Sequence, residues 1–235
     1  PALKKADIGV AMGITGTDVT KETADMVLTD DNFASIVAAV EEGRVIFANI
    51  RKFVFFLLSC NLAEIFIIFI AMILGWPIPL LPIQLLWLNL VTDAFPALAL
   101  GMEQPEPGIM DQQPRDPEEP ILNKNMKKMI VVQGGVLTFA VLGAFYYALN
   151  AYPQDADYSM ARTFAFTTLI SAELLRAFTA RSEHYSVFRI GLFSNKFMNM
   201  GVGFSFALLA LSLYGPLHKI FRTESLELNE LGIVA

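Results

Sequence analysis

Five stretches of the chain stay apolar long enough to cross a bilayer, and what separates them is short or polar. They run roughly over residues 53–75, 82–101, 126–149, 159–180 and 197–214, and the chain turns apolar once more from about 231. A hydrocarbon core about 30 Å thick takes about 20 helical residues, so each block predicts one membrane-spanning helix. Pro82 stands where a first-turn proline fits, because its missing N–H is one a helix leaves unbonded anyway. Residues 1–50 have another pattern. IGVAM at 8–12 and MVLT at 26–29 are short strand candidates, with a short helix between them at 18–25. Asp30, Asp31 and Asn32 form an N-cap cluster. From Phe33 a helical pattern, with Ile36, Val37, Val40 and Ile46 on one side, continues through Arg51 and Lys52 into the first apolar block. One long helix is therefore expected to join the α/β portion to the membrane. The stretch 102–125 carries Pro105, Pro107, Pro114, Pro117 and Pro120 and predicts a stiff connection instead of a helix.

Composition agrees with a membrane protein: of 235 residues 54% are hydrophobic and 17% charged, with mean hydropathy +0.51, where a soluble domain is about a quarter charged. A net charge of −6 argues against a nucleic-acid partner. The single cysteine, Cys60, cannot form an intrachain disulfide and reads as a small buried side chain, not a redox group. The chain opens without Met and without a signal peptide, and is expected to be a piece of something larger. If the spans alternate, Arg44, Arg51, Lys52, Arg115, Lys124, Lys127, Lys128, Arg181, Arg189 and Lys196 share one side, while the turns at 75–81 and 150–158 carry no Lys or Arg. That side is expected to be cytoplasmic, and with it the N-terminal portion and the proline-rich connection. Lys219 and Arg222 fall on the other side. Trp76 fits an interfacial belt, and His184 and His218 fall in loops as solvated groups. Gly9, Gly13 and Gly16 lack G-x-G-x-x-G spacing, so tight turns after a strand are expected there, not a dinucleotide site.

The chemistry lies inside the apolar blocks. QLLWLNLVTDAFPALALG, at 84–101, carries Asn89, Thr92 and Asp93, whose spacing puts them on one side of an α-helix. Pro96 has no N–H, so the carbonyl of Thr92, four residues back, loses its usual partner. The first block adds Asn61 and Glu64, and the fourth adds Glu173. A charge at mid-membrane costs at least about 2.5–3.5 kcal/mol, so three carboxylates on three helices are expected to face inward and share a cation or protons. Clustered oxygens are what a hard cation such as Ca²⁺ takes as ligands. Carboxylates that take up protons when unloaded would give H⁺ countertransport. Other uses stay open at this point: Asn61, Gln84 and Thr138 suit interhelical hydrogen bonding, and Arg176, three residues after Glu173, offers it a local salt bridge.

PALKKADIGVAMGITGTDVTKETADMVLTDDNFASIVAAVEEGR resembles the end of the phosphorylation domain of P-type cation pumps, and SCNLAEIF, QLLWLNLVTDAFPALALG and IMDQQPRDPEEP extend the resemblance over essentially the whole chain. It is similar to the Ca²⁺-transporting, sarcoplasmic-reticulum-type branch. The resemblance implies a mainly α fold: a transmembrane helical bundle matching the family's helices five to nine and the start of the tenth, preceded by the α/β end of a haloacid-dehalogenase-like domain. It implies a division into 1–32 (phosphorylation domain), 33–52 (stalk helix) and 53–235 (transmembrane domain). Asn61 and Glu64 then resemble the helix-five ligands, Asn89, Thr92 and Asp93 those of helix six, and Glu173 that of helix eight in a two-ion calcium site. The implied activity is ATP-driven Ca²⁺ transport through an aspartyl-phosphate, with ATP and Mg²⁺ used by the complete chain. The implied partners are the lipid bilayer, the transported cation and the remaining domains. The family's D-K-T-G-T, its nucleotide-binding domain and its T-G-E are not in this sequence, which starts just after the T-G-D-G-V-N-D hinge. This piece alone is expected not to hydrolyse ATP. The short 150–158 turn argues against an accessory β subunit, and the long helix suits a lever between phosphorylation and the ion site. Competing readings are a pump for Na⁺, K⁺ or Mn²⁺, or a non-enzymatic secondary transporter or channel, which would have no use for phosphorylation-domain residues. A purely structural membrane module is disfavoured by the carboxylates.

Overall fold

The structure, a computed structural model, describes residues 1–116, 118–182 and 185–234. Pro117 and His184, together with Glu183 and Ala235, lie outside the described residues. The chain divides into two units, one of residues 1–47 and 105–114, the other of 48–104 and 115–235.

In the first unit the expected strand, helix and strand all form. After a short helix α1 (Ala2–Lys5) come β1 (Val10–Met12), α2 (Asp18–Thr23) and β2 (Met26–Leu28), the strands running parallel with Val10 opposite Met26 and Met12 opposite Leu28. Thr17 caps α2, its hydroxyl accepting from the Thr20 N–H at 3.4 Å. The loop after β1 needs its glycines for want of space: a Cβ on Gly13 would stand 2.7 Å from the Leu28 carbonyl oxygen, and one on Gly16 2.1 Å from that of Met12. Tight turns, as expected, are what these glycines serve. The acidic cluster divides its labour. Asn32 accepts from the Ala34 N–H at 3.0 Å and Asp30 from the Ser35 hydroxyl at 2.7 Å, at the start of α3 (Ala34–Ile73). Asp31, in the left-handed region at φ 52°, turns away and binds the N–H groups of Ile14 and Thr15, each at 2.8 Å. In the same unit Arg44 donates to the carbonyls of Ile109 and Gln112, both at 2.8 Å, which fixes the middle of the proline-rich connection. The expected apolar stripe finds no core here, since Val37, Val40 and Ile46 are exposed.

The second unit is helical. The 40-residue α3, about 60 Å long at 1.5 Å per residue, crosses from Arg51 and Lys52 into the first apolar block without a break. Gly75, at φ 68°, ends this span, with the Trp76 N–H bonded back to the Ala71 carbonyl at 2.9 Å. The second span is α4 (Pro82–Trp87), a π-helical turn (Leu88–Thr92) and α5 (Ala94–Gly101). Its start is as read from Pro82, and Gln84 reaches back to accept from the Leu81 N–H at 2.8 Å. Then follow α6 (Lys124–Ala151), α7 (Ser159–Thr179), the short α8 (Val187–Ile190), α9 (Lys196–Tyr214), the short α10 (His218–Phe221) and α11 (Leu228–Val234). Among the described residues four helical stretches are long and apolar enough to cross a membrane: Ala34–Ile73, Pro82–Gly101, Lys124–Ala151 and Lys196–Tyr214. The fourth expected span, at 159–180, forms as the 21-residue α7, too polar to join that set by composition. Fourteen of its residues are buried, so neighbouring helices surround it. Its polarity belongs to the inside of the bundle.

Small residues set the close approaches, as in helix packing within lipid. Gly134 of α6 lies against Ser59 and Ala63 of α3, and Gly201 of α9 lies so close to α5 that a Cβ would stand 3.2 Å from the Phe95 carbonyl. Phe56, Ile67, Leu100, Phe145, Phe166 and Leu174 belong to the common core. Gln84 and Thr138 do serve as interhelical bonds: Gln84 donates to the Phe221 carbonyl at 3.0 Å, and the Thr138 hydroxyl lies 2.7 Å from the Gly134 carbonyl and 3.4 Å from that of Ala63.

Candidate cation site

The proline at 96 shapes the second span. With no N–H to give, it leaves the Thr92 carbonyl unbonded within its helix, and the turn before it closes in the wider π pattern, the Asp93 N–H bonding the Leu88 carbonyl five residues back at 2.9 Å. The single α-helical stripe expected for Asn89, Thr92 and Asp93 is thus corrected: a π turn winds an extra residue into the repeat, and π turns gather at functional sites. Asn89 and Asp93 both turn toward α3. Thr92 is buried, with its hydroxyl unbonded. The freed Thr92 carbonyl accepts a hydrogen bond at 3.0 Å from the Ser205 hydroxyl of α9.

The carboxylates come from three helices. Glu64 of α3 is 7% exposed and takes both of its bonds from the Asn89 amide, at 2.8 and 2.7 Å. Asp93 and Glu173 are both 0% exposed. One oxygen of each and the sulfur of Cys60 lie within 4.8 Å of one another. Among the described residues no group outside this cluster donates a hydrogen bond to the four oxygens of Asp93 and Glu173, and the three carboxylates interact electrostatically. Asn61 stays apart in its bonding: it is half-buried, and its amide donates to the Leu57 carbonyl of its own helix at 2.8 Å.

Arg176 does not form the salt bridge that its spacing from Glu173 offered. Among the described residues no ion pair joins the two. The guanidinium instead donates to the Ser59 hydroxyl of α3 and lies over the Phe55 ring, 5.0 Å from its centroid, with two of its nitrogens unbonded. A cation held near the carboxylates by another helix balances charge without occupying their oxygens.

A second buried polar cluster, not anticipated from the sequence, sits beyond Gly101. Glu103 receives the Arg181 fork at 2.8 and 2.9 Å and the Asn195 amide at 2.9 Å. Arg181 also donates to the carbonyls of Gly191 and Leu192, at 2.9 and 2.8 Å, and Asn49 donates to the Glu103 carbonyl at 2.8 Å. Burial works against ionisation of Glu103, yet the hydrogen bonds from Arg181 and Asn195 prevail and hold its carboxyl below the ordinary range. The cluster ties together the ends of four helices, since Asn49 lies on α3, Glu103 follows α5, Arg181 follows α7 and Asn195 caps α9.

Sequence reasoning took Cys60 for a small buried side chain, which it is, without placing it beside the carboxylates, and passed over Ser59 and Ser205. Cys60 stands four residues before Glu64, a spacing that shares a helix face and could have flagged it. Nothing near Ser205 marks it out.

Residues 77–235 match the family model described as cation transporting ATPase, C-terminus. A calcium-transporting ATPase of Bacillus subtilis is 47% identical over 95% of this chain and 25% of its own length. One from Listeria monocytogenes is 43% identical over 100% of this chain and 26% of its own length. The mouse calcium-transporting ATPase type 2C member 1 is 40% identical over 98% of this chain and 25% of its own. The chain spans about a quarter of the length of these relatives. With its apolar helices and their buried carboxylates, this chain belongs to the cation-transporting ATPases and carries the region at their C-terminus.

Proposed function

We propose that this chain supplies the ion-binding half of a pump that moves Ca²⁺ across a membrane at the expense of ATP. The observation that carries the reading is the pair of fully buried carboxylates, Asp93 and Glu173, brought within 4.8 Å of each other from two helices with no hydrogen bond to either from a described group outside their cluster. Ca²⁺ binds oxygen at about 2.3–2.6 Å, so one ion can bridge atoms at that separation. Asn61, Glu64, Asn89, Thr92, Asp93 and Glu173 are the proposed ligand set. Within it the Asn89 amide orients Glu64, and Ser205 fixes the carbonyl that Pro96 frees. When the ion leaves, protons on the carboxylates offset the charge they would otherwise bury, which is the basis for H⁺ countertransport.

The remaining assignments belong to the same reading. Residues 1–32 form the end of a haloacid-dehalogenase-like phosphorylation domain on the cytoplasmic side, supported by the parallel β1–α2–β2 unit. Residues 33–52 are the stalk and 53–235 the membrane domain. Phosphorylation of an aspartate elsewhere in the complete protein, using ATP and Mg²⁺, drives the site, and α3 transmits the movement because it runs unbroken from Ala34 to Ile73 with Glu64 on it. In a complete pump, a glycine pair inserted near Arg51 is expected to uncouple transport from ATP use, and coupling that survives it overturns the lever.

The test is Ca²⁺-dependent phosphoenzyme formation by the complete protein with Glu64→Gln, Asp93→Asn and Glu173→Gln. Loss or weakening of the Ca²⁺ dependence in these variants is expected. A wild type whose phosphorylation follows Na⁺, K⁺ or Mn²⁺ in place of Ca²⁺ assigns the site to another cation, and one that carries ions without phosphorylation is a secondary transporter or channel.

A further inference from the structure

Cys60 is fully buried, one helical turn before Glu64 on α3. Its sulfur shares a space no wider than 4.8 Å with one oxygen each of Asp93 and Glu173, and those carboxylates, 0% exposed, accept no hydrogen bond from any described group outside this cluster. This is an unusual composition for a calcium cage. Hard cations take oxygen alone, whereas a thiolate raises affinity for soft and borderline ions and is the donor that sorts Zn²⁺ and similar metals from Ca²⁺. Around one tetrahedral ion, metal–sulfur and metal–oxygen lengths of about 2.3 and 2.1 Å put sulfur and the two oxygens about 3.4–3.6 Å apart. Ligand atoms already inside 4.8 Å lie at most about 1.4 Å beyond that spacing.

We infer that Cys60 converts the Asp93–Glu173 pair into a site for a thiophilic divalent cation of the Zn²⁺ or Cd²⁺ class, bound by one sulfur and two carboxylates in competition with Ca²⁺. Coordination replaces the thiol proton with the metal, and that proton leaves to solvent. The consequence is a pump that soft metals occupy and stall at the same place where Ca²⁺ enters. The inference rests on the reading of Asp93 and Glu173 as cation ligands.

The test uses the complete purified protein and Cd²⁺ alone, read by the ultraviolet thiolate-to-cadmium charge-transfer band as the difference between wild type and Cys60→Ser. The band is expected in the wild type and absent from Cys60→Ser. Added Ca²⁺ is expected to compete it away, and Asp93→Asn, which keeps the thiol, to raise the half-saturating Cd²⁺ concentration about tenfold. A band of equal size in wild type and Cys60→Ser overturns the inference, as does one that neither Ca²⁺ nor Asp93→Asn alters. Should Cys60→Ser not fold, the Ca²⁺ competition and Asp93→Asn decide between the same two outcomes. A Cys60-dependent band in a protein whose ATP hydrolysis ignores Ca²⁺ refutes the pump reading but leaves the soft-metal site standing. Ca²⁺-stimulated hydrolysis with no such band refutes the soft-metal site alone.

Discussion

Glu103→Gln removes one carboxylate charge and changes little else in shape. Among the described residues the Glu103 carboxylate takes three hydrogen bonds, from Arg181 Nε at 2.8 Å, Arg181 Nη2 at 2.9 Å and Asn195 Nδ2 at 2.9 Å. A glutamine whose carbonyl oxygen replaces Oε2 keeps two of these, both weaker for lack of charge. Its NH₂ then faces the Arg181 Nη2, donor against donor. Arg181, 1% exposed, is left with a buried charge and no carboxylate partner among the described residues, and removing one partner of a buried pair costs about 3–5 kcal/mol. The bonds from Arg181 to Gly191, Leu192 and Ser194 survive, which places the expected loss near the lower end, about 3 kcal/mol. Denaturant unfolding of the complete protein in detergent measures it, and hydrogen exchange over 99–104 and 191–196 locates it. Replacing both partners, Glu103→Met with Arg181→Leu, is expected to cost less than the two single changes added together, because no charge is left unpaired. The dependence on pH has one sign. A carboxyl held below its usual 4.5 stabilises the fold above that value, and the contribution is lost as pH falls through the lower folded value. A loss under about 0.5 kcal/mol, the range of ordinary surface changes, with unchanged exchange in both segments, would refute this assignment of Glu103.

Three further outcomes follow from the geometry. Gly201→Leu is expected to destabilise by about 1–3 kcal/mol through overpacking, since its Cβ would already stand 3.2 Å from the Phe95 carbonyl, while Gly203→Ala, with nothing within 4 Å, serves as the tolerated control; thermal unfolding of the two compares them. Asp31→Ala is expected to free the loop at 14–16 to rapid hydrogen exchange. Its hydrogen bonds from Thr15 and Ile14 hold the Asp31 carboxyl below its usual 3.8, so in the wild type the same loosening sets in only as pH falls below that value. Ser205→Ala removes the donor to the Thr92 carbonyl, at a cost of about 1 kcal/mol, and within the proposed site it is expected to raise the half-saturating Ca²⁺ concentration with little change in maximal turnover.

What the sequence conveys well is what short-range rules govern. The strands at 10–12 and 26–28, the helix between them and the proline start at 82 follow from local pattern and capping, which need no knowledge of the partner. The burial of α7 was only half legible: its Thr, Ser, Glu and Arg residues lower its hydropathy for the same reason that other helices surround it. The π turn could not be read, because Pro96 announces only that a carbonyl is freed, and its taker, Ser205, lies 113 positions away. The same holds for Glu103, whose partners Arg181 and Asn195 come together only when α7 and α9 pack. Glu173 with Arg176 is the instructive case. Their spacing suits a local pair, yet Ser59 and the Phe55 ring on α3 offer the guanidinium another seat. Long-range packing overrode the local rule.

The central claim is that Asp93 and Glu173, with Glu64 beside them, hold the transported ion. Equilibrium binding of radioactive Ca²⁺ to the complete protein tests it most directly, comparing wild type with Asp93→Asn and Glu173→Gln at matched folding. Each substitution is expected to lower affinity at least about tenfold, in line with changes close to a metal. Unaltered Ca²⁺ binding in both variants would contradict the account.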